Sequence, residues 1–173
     1  MSRPPPPPAA VIVAGPNGAG KSTMAPRLVL HGFGIGLYVN PDTIAQGLAA
    51  FDPASAGIEA GRAMHRRLEE LRAGRVDFAV ESTISGLSLR SFLRRLRTSG
   101  YAVFMLYLWL PEPNLSIERV ANRVRLGGHN VPEEDIRRRF YRSVVNFDRI
   151  YRRLVNGFWI YHGLKPLDEP CLA

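Results

Sequence analysis

The chain predicts a three-layer α/β fold: a five-stranded, mainly parallel sheet between helices, with a helical lid over one end. Three observations predict it. Short apolar runs alternate with helical stretches from Ala9 onward, as parallel strands buried on both faces require. A glycine-rich octet, GPNGAGKS, stands between the first apolar run and the first helical stretch. Late in the chain, two arginine-rich helical stretches flank the break GGHN.

Each element follows in order. AAVIVA, residues 9–14, is the first buried strand, and residues 21–30 form the first helix. GLYVN, residues 36–40, is the second strand. Pro41 then opens a helix at a position that tolerates its missing N–H, with Asn40 as the cap. After FDPASAG a longer helix runs to about Arg72, with Ile58, Met64, Leu68 and Leu71 as an imperfect apolar stripe. VDFAVE, residues 76–81, is the third strand. A basic helix over 87–97 puts Leu89, Phe92, Leu93 and Leu96 on one face. YAVFMLYLWL, residues 101–110, is apolar throughout and is the central strand. Pro113 opens the next helix, with Ile117, Val120, Ala121 and Val124 on one side and Arg119 and Arg123 on the other. The last long helix begins near Pro132, where Glu133, Glu134 and Asp135 suit a first turn. FWIYHG is a short final strand, and no internal repeat is present.

A length of 173 residues suits one domain with a substantial core. Residues 9–165 are read as that domain, with the lid at 115–142. The proline run within residues 1–8 reads as a disordered leader, and residues 166–173 as a tail. With 46% hydrophobic and 22% charged residues the composition is globular. The net charge of +8 attracts anions, among them nucleotides, phosphorylated metabolites and nucleic acid, and does not choose between them. The one cysteine, Cys171, leaves no internal disulfide and points to a reducing, cytoplasmic setting. No stretch has the length of a membrane-spanning helix, so no membrane partner is expected.

Nearly every basic residue is arginine, twenty-one against two lysines, yet a lysine ends the glycine-rich turn. GPNGAGKS satisfies G-x-x-x-x-G-K-[ST] between a strand and a helix, the setting of a phosphate-binding loop. Gly15, Gly18 and Gly20 allow the backbone to approach a polyphosphate. The backbone from Gly15 through Pro16, Asn17, Ala19 and Ser22 to Thr23 lines its path. Lys21 reaches the terminal phosphates as a compact charge, which the wider guanidinium does poorly. Ser22 places its hydroxyl on Mg²⁺. ATP and Mg²⁺ are therefore the expected cofactors. The chain has neither an LSGGQ-like signature nor an N-K-x-D motif, and a small-molecule kinase fits best.

Ligands of open α/β sheets bind beyond the carboxyl ends of the strands. Asp42 follows the second strand in NPDT and is a candidate catalytic base for a hydroxyl attacking the γ-phosphoryl group. A charge that merely stabilises a helix start is the competing role. Glu81 and Thr83 follow the third strand in VESTISG. Glu81 can take hydrogen bonds from a hydroxylated acceptor or, through water, from the Mg²⁺ shell. Arg119, Arg123 and Arg125, with Arg137, Arg138, Arg139 and Arg142 beyond the break, are candidates to neutralise charge on the transferring group. Solvated basic helix faces are the plainer reading of most of them. His129, beside the break, is either an acceptor contact or a turn residue.

GPNGAGKST, NPDT, VESTISG and RVANRVRLGGHNVPEEDIRRRF, in that order, resemble the zeta toxin family of P-loop kinases over most of residues 10–150. The resemblance implies a nucleoside-kinase-like fold and ATP- and Mg²⁺-dependent phosphorylation of a UDP-amino sugar, UDP-N-acetylglucosamine in the family. It implies Lys21 and Ser22 at ATP and metal, Asp42 as base, Glu81 and Thr83 on the sugar, and Arg119 as a lid arginine. An antitoxin protein is the implied partner. Two other readings stay open: an ATP-binding regulator of weak ATPase activity that holds a protein or RNA, and a kinase of nucleic-acid 5′-hydroxyls. A nucleic-acid partner is the less favoured of these expectations.

Overall fold

The computed structural model describes residues 6–128 and 130–164. The five strands are β1 (Ala9–Ala14), β2 (Tyr38–Val39), β3 (Phe78–Ser82), β4 (Ala102–Trp109) and β5 (Gly157–His162). They form one sheet in the order β2-β3-β1-β4-β5, and every pairing is parallel. The helices are α1 (Lys21–Ala25), α2 (Pro41–Leu48), α3 (Gly57–Ala73), α4 (Ser88–Thr98), α5 (Pro113–Arg125) and α6 (Glu133–Arg149). The predicted architecture is present. The proposed leader lies partly, and the tail with Cys171 wholly, outside the described residues.

The strands differ from their predicted extents for local reasons. β1 and β4 are nearly continuous buried runs because both lie inside the sheet, with a neighbour on either side. β2 is only two residues rather than five, since it is an edge strand paired on one side. β3 starts at Phe78 rather than Val76 because the Asp77 side chain, not a ladder carbonyl, receives the Ala9 N–H at 2.7 Å. The first helix also departs from expectation. Regular α-helix ends at Ala25, and Pro26–His31 continues as π-helix. Pro26 has no N–H to give to the carbonyl four residues back, so the ladder is interrupted there.

Alternation along the strands splits the core in two. Ile12, Phe78, Val80 and Met105 pack with α3 and α4 on one face, while Val11, Val13, Leu106 and Leu108 pack with α1, Val29 and Phe140 on the other. Tyr101, before β4, ties the layers together by donating to the Leu71 carbonyl at 2.9 Å and the Val76 carbonyl at 3.1 Å. Burial raises its phenol pKa, so it stays a donor at neutral pH.

β2 and β3 lie on one side of β1 and β4 and β5 on the other, so successive crossovers diverge at β1 and a crevice opens beyond its carboxyl end. Gly15 turns the chain into that crevice. Its φ is +139°, and a Cβ there would sit 2.3 Å from the Leu108 carbonyl oxygen. Gly15→Ala therefore has to move the loop or β4. It is expected to lower unfolding free energy by about 3 kcal/mol or more, measured by urea denaturation.

Candidate functional site

The phosphate-loop sequence folds as a phosphate loop. Gly18 and Gly20 have φ of +71° and +89°, a conformation open to glycine and strained for other residues. The loop also packs too closely on α5 for a side chain at Gly18, where a Cβ would meet the Ser116 carbonyl oxygen at 2.9 Å. Lys21 opens α1 and is 7% exposed. Its ammonium donates to the Pro16 carbonyl at 2.9 Å and stands 3.9 Å from Glu81 Oε1. Burial holds its pKa below the ordinary lysine value; the Glu81 and Asp42 carboxylates oppose this, and Arg123 adds to it. A polyphosphate beside Lys21 would add negative charge that favours the ammonium.

Glu81, at the end of β3, gathers the loop and the neighbouring strand end. Its Oε2 accepts from Ser22 Oγ at 2.7 Å, Tyr38 OH at 2.5 Å and Asn40 Nδ2 at 3.0 Å. Four polar groups thus hold one buried carboxylate, as a charge out of water requires. Burial and then the Glu81 carboxylate push the Tyr38 phenol well above its usual range, which keeps it a donor. The sequence does not distinguish Tyr38, and it marks Asn40 only as a cap. Asn40 directly follows β2, the position that marks it, and Tyr38 begins that two-residue strand. The residues present fit a Mg²⁺-nucleotide: a glycine-lined cradle, a lysine, and a serine hydroxyl beside a carboxylate. No cluster of three metal-binding side chains occurs among the described residues, and Mg²⁺ on phosphates does not need one.

Asp42 stands beside this group. Asn40 caps α2 by accepting the Asp42 N–H at 2.8 Å, and Pro41 occupies the first helical position. The cap fixes the Asp42 backbone and leaves its carboxylate exposed on the cleft. Two adjoining cavities, of about 540 Å³ and 660 Å³, share Asp42 and Arg123 in their walls. The first also takes in Asn17, Lys21, Glu81 and Thr83. Asn17 is 8% exposed, and its Oδ1 has no hydrogen-bond partner among the described residues. An unmet buried amide oxygen costs about 1–3 kcal/mol, which a ligand donor would recover.

Thr83 reaches the cleft on a strained turn. Ile84 has φ +47°, unusual for a β-branched residue, and is held there by burial, by Ser82 Oγ accepting its N–H at 3.0 Å, and by Asn146 donating to its carbonyl at 2.8 Å. The Thr83 hydroxyl shares a 2.9 Å hydrogen bond with Ser85.

The arginines divide. Arg119 lies over the loop, with Nη1 donating to the Gly163 carbonyl at 2.9 Å. With Gly18, Gly20, Ser22 and Thr23 it walls a third cavity of about 210 Å³. Arg123 borders that cavity and both larger ones. The glycine break has a structural reason beyond a hinge. Gly127, at φ +84°, ends α5, and a Cβ on Gly128 would meet Arg123 Cγ at 2.5 Å, so the pair lets the chain lie against the Arg123 side chain. Val120, Val131 and Ile136 seal the two arms into a small core of their own. Arg137 pairs with Glu133, and Arg138 and Arg139 with Asp135, all within α6. Arg139 also borders the cavity of about 540 Å³ beside Asp42, a placement the sequence does not distinguish. His129 lies outside the described residues.

Among the described residues no helix is long and apolar enough to cross a membrane. Over 126 residues the chain is 27% identical to a Haemophilus influenzae protein described as uncharacterized, covering 73% of this chain and 88% of that one. Its fold is similar to a structure from the PezAT chromosomal toxin-antitoxin system of Streptococcus pneumoniae, with a TM-score of 0.69 and 16% identity over 93% of this chain and 70% of that one. It is also similar to shikimate kinase from Acinetobacter baumannii in complex with shikimate, with a TM-score of 0.54 and 18% identity over 87% and 82% of the two chains. These likenesses carry the fold, that of P-loop kinases. Residues 2–161 match the family described as Zeta toxin. That match takes in the phosphate loop, the Glu81 node, Asp42 and both arms above the cleft, and by it the chain belongs to the Zeta toxin family.

Proposed function

We propose that the protein is a kinase that transfers the γ-phosphoryl group of ATP to a hydroxyl of a small acceptor held in the cleft, a UDP-amino sugar being the first candidate. The observation that carries this reading is the shared cleft wall: the Lys21 ammonium and an Asp42 carboxylate without a protein partner among the described residues face one cavity. A phosphate-binding cation beside a free base is what transfer to a hydroxyl needs.

In this reading Asp42 takes the proton of the acceptor hydroxyl as its oxygen bonds to the γ-phosphorus. The bond from that phosphorus to the β,γ-bridging oxygen breaks, and ADP departs with the electron pair. Loop N–H groups and Lys21 bind the phosphates. Ser22, with Glu81 behind it, would hold Mg²⁺, which supplies charge neutralisation at the phosphates. The three donors already on Glu81 favour this part of its two sequence readings over direct sugar contact. Arg123, bordering both cavities, and Arg119, above the loop, offset charge on the transferring group. Thr83 contacts the acceptor. Family membership supports the choice of ATP, of a UDP-amino sugar and of an antitoxin protein as partner.

Incubation with ATP, Mg²⁺ and a panel of UDP-sugars, other small hydroxyl compounds and a 5′-hydroxyl oligonucleotide tests it. A phosphorylated UDP-sugar, identified by mass spectrometry, is the expected result. Labelling of the oligonucleotide alone would replace the small acceptor, and ADP release without any phosphorylated acceptor would overturn the kinase reading.

A further inference from the structure

Helix α3 carries glycine at 57 and 61 and alanine at 60, and all three line the same cavity as Asp42 and Lys21. The spacing puts them on one face. A Cβ added at Gly57 or Gly61 meets nothing within 4 Å, so neither glycine is there to let another protein segment approach. Gly61 lies inside the helix, where glycine is a poor choice on propensity. Ala60 and Met64 beneath them are buried, which makes the face a firm floor rather than a gap. The same cavity is lined by Asn17, nine-tenths buried, whose amide oxygen has no partner among the described residues. The cavity wall thus includes both a stretch of bare helix and an unmet hydrogen-bond acceptor.

We propose that the Gly57–Ala60–Gly61 face of α3 and Asn17 form the subsite that reads the acceptor: the bare helix receives the flat face of a ring, and the Asn17 amide oxygen accepts from an O–H or N–H on that ring. This rests on the cleft being the acceptor site. It narrows the acceptor class to cyclic compounds with a hydrogen-bond donor near the hydroxyl that is phosphorylated. Bulk standing out from the ring face is excluded by the helix backbone, and a ring without a donor leaves Asn17 unmet.

Gly61→Leu fills the floor without touching the phosphate loop. Wild type, Gly61→Leu, Gly61→Ala and Asn17→Ala are compared by thermal shift with a non-hydrolysable ATP analogue and Mg²⁺. The probes are hexoses, N-acetylhexosamines, nucleosides, UDP-sugars and their O-methylated analogues. Ligand-free Gly61→Ala is expected to melt about 2 °C or more above wild type, because a helix glycine is lost. At least one ring probe is expected to stabilise wild type, to bind Gly61→Leu and Asn17→Ala about tenfold or more weakly, and to lose its dependence on Asn17 when methylated. A probe bound alike by wild type and Gly61→Leu, or no ring probe bound by wild type, overturns the subsite. Phosphoryl transfer to the same probes separates the two proposals. Transfer by wild type that Gly61→Leu leaves unchanged keeps the kinase and removes the subsite. Gly61-dependent binding without transfer keeps the subsite and removes the kinase.

Discussion

Lys21→Arg is expected to lower phosphoryl transfer by at least about two orders of magnitude, or roughly 3 kcal/mol of transition-state stabilisation, although charge is conserved. The ammonium occupies a space bounded by the Pro16 carbonyl at 2.9 Å and Glu81 at 3.9 Å, and it is nearly closed to solvent. A guanidinium is wider and planar, and its fork suits a carboxylate. It would pair with Glu81 and so compete with Ser22, Tyr38 and Asn40 for the oxygen they share. The cation would be present but turned from the phosphates. Lys21→Ala should be as inactive and less stable, since Glu81 would lose its only ion pair among the described residues. Turnover and ATP affinity on one preparation check both variants. Near-normal turnover in Lys21→Arg would mean that the lysine is a compositional accident in an arginine-rich chain.

How far the sequence reaches can be seen at this same node. The strand-loop-helix setting of GPNGAGKS made the loop legible, because its chemistry depends on contiguous backbone and one short motif. Asp42, Glu81 and Thr83 were found because each follows a strand, and the crevice rule locates ligands there. Tyr38 and Asn40 as holders of Glu81, and Asn17 as an unmet acceptor, were not legible. The roles of Tyr38 and Asn40 arise from β2 lying beside β3 rather than beside β1, a neighbour relation that periodicity does not encode. The seven arginines around GGHN show the same boundary. Spacing predicted helices and their charge, but only packing separates Arg137 and Arg138, paired within α6, from Arg123, against which Gly128 rests. Helix α1 fails for a local reason: one proline at residue 26 turns a predicted ten-residue helix into a five-residue α-helix with a π-helical continuation.

Asp42→Asn is expected to leave ATP bound and to reduce phosphoryl transfer about a hundredfold or more, as follows from removing a positioned base. The substitution keeps side-chain size and does not disturb the cap, because Asn40 holds the Asp42 backbone N–H and not its side chain. Loss of a negative charge in the first turn of α2 should cost about 0.3–1 kcal/mol, a small shift in the thermal midpoint. If Asp42 served only the helix, that small shift would be the whole effect and turnover would persist. Its surroundings argue otherwise. A helix-start charge needs no cavity, yet Asp42 borders both larger cavities, and among the described residues its carboxylate takes no protein donor where Glu81 nearby takes three hydrogen bonds. On the proposed reading the two acids divide the work: Glu81 holds the loop, while Asp42 serves a hydroxyl from outside. Measured together, ATP affinity, thermal midpoint and turnover distinguish the outcomes, and intact turnover in Asp42→Asn would transfer the base role away from α2.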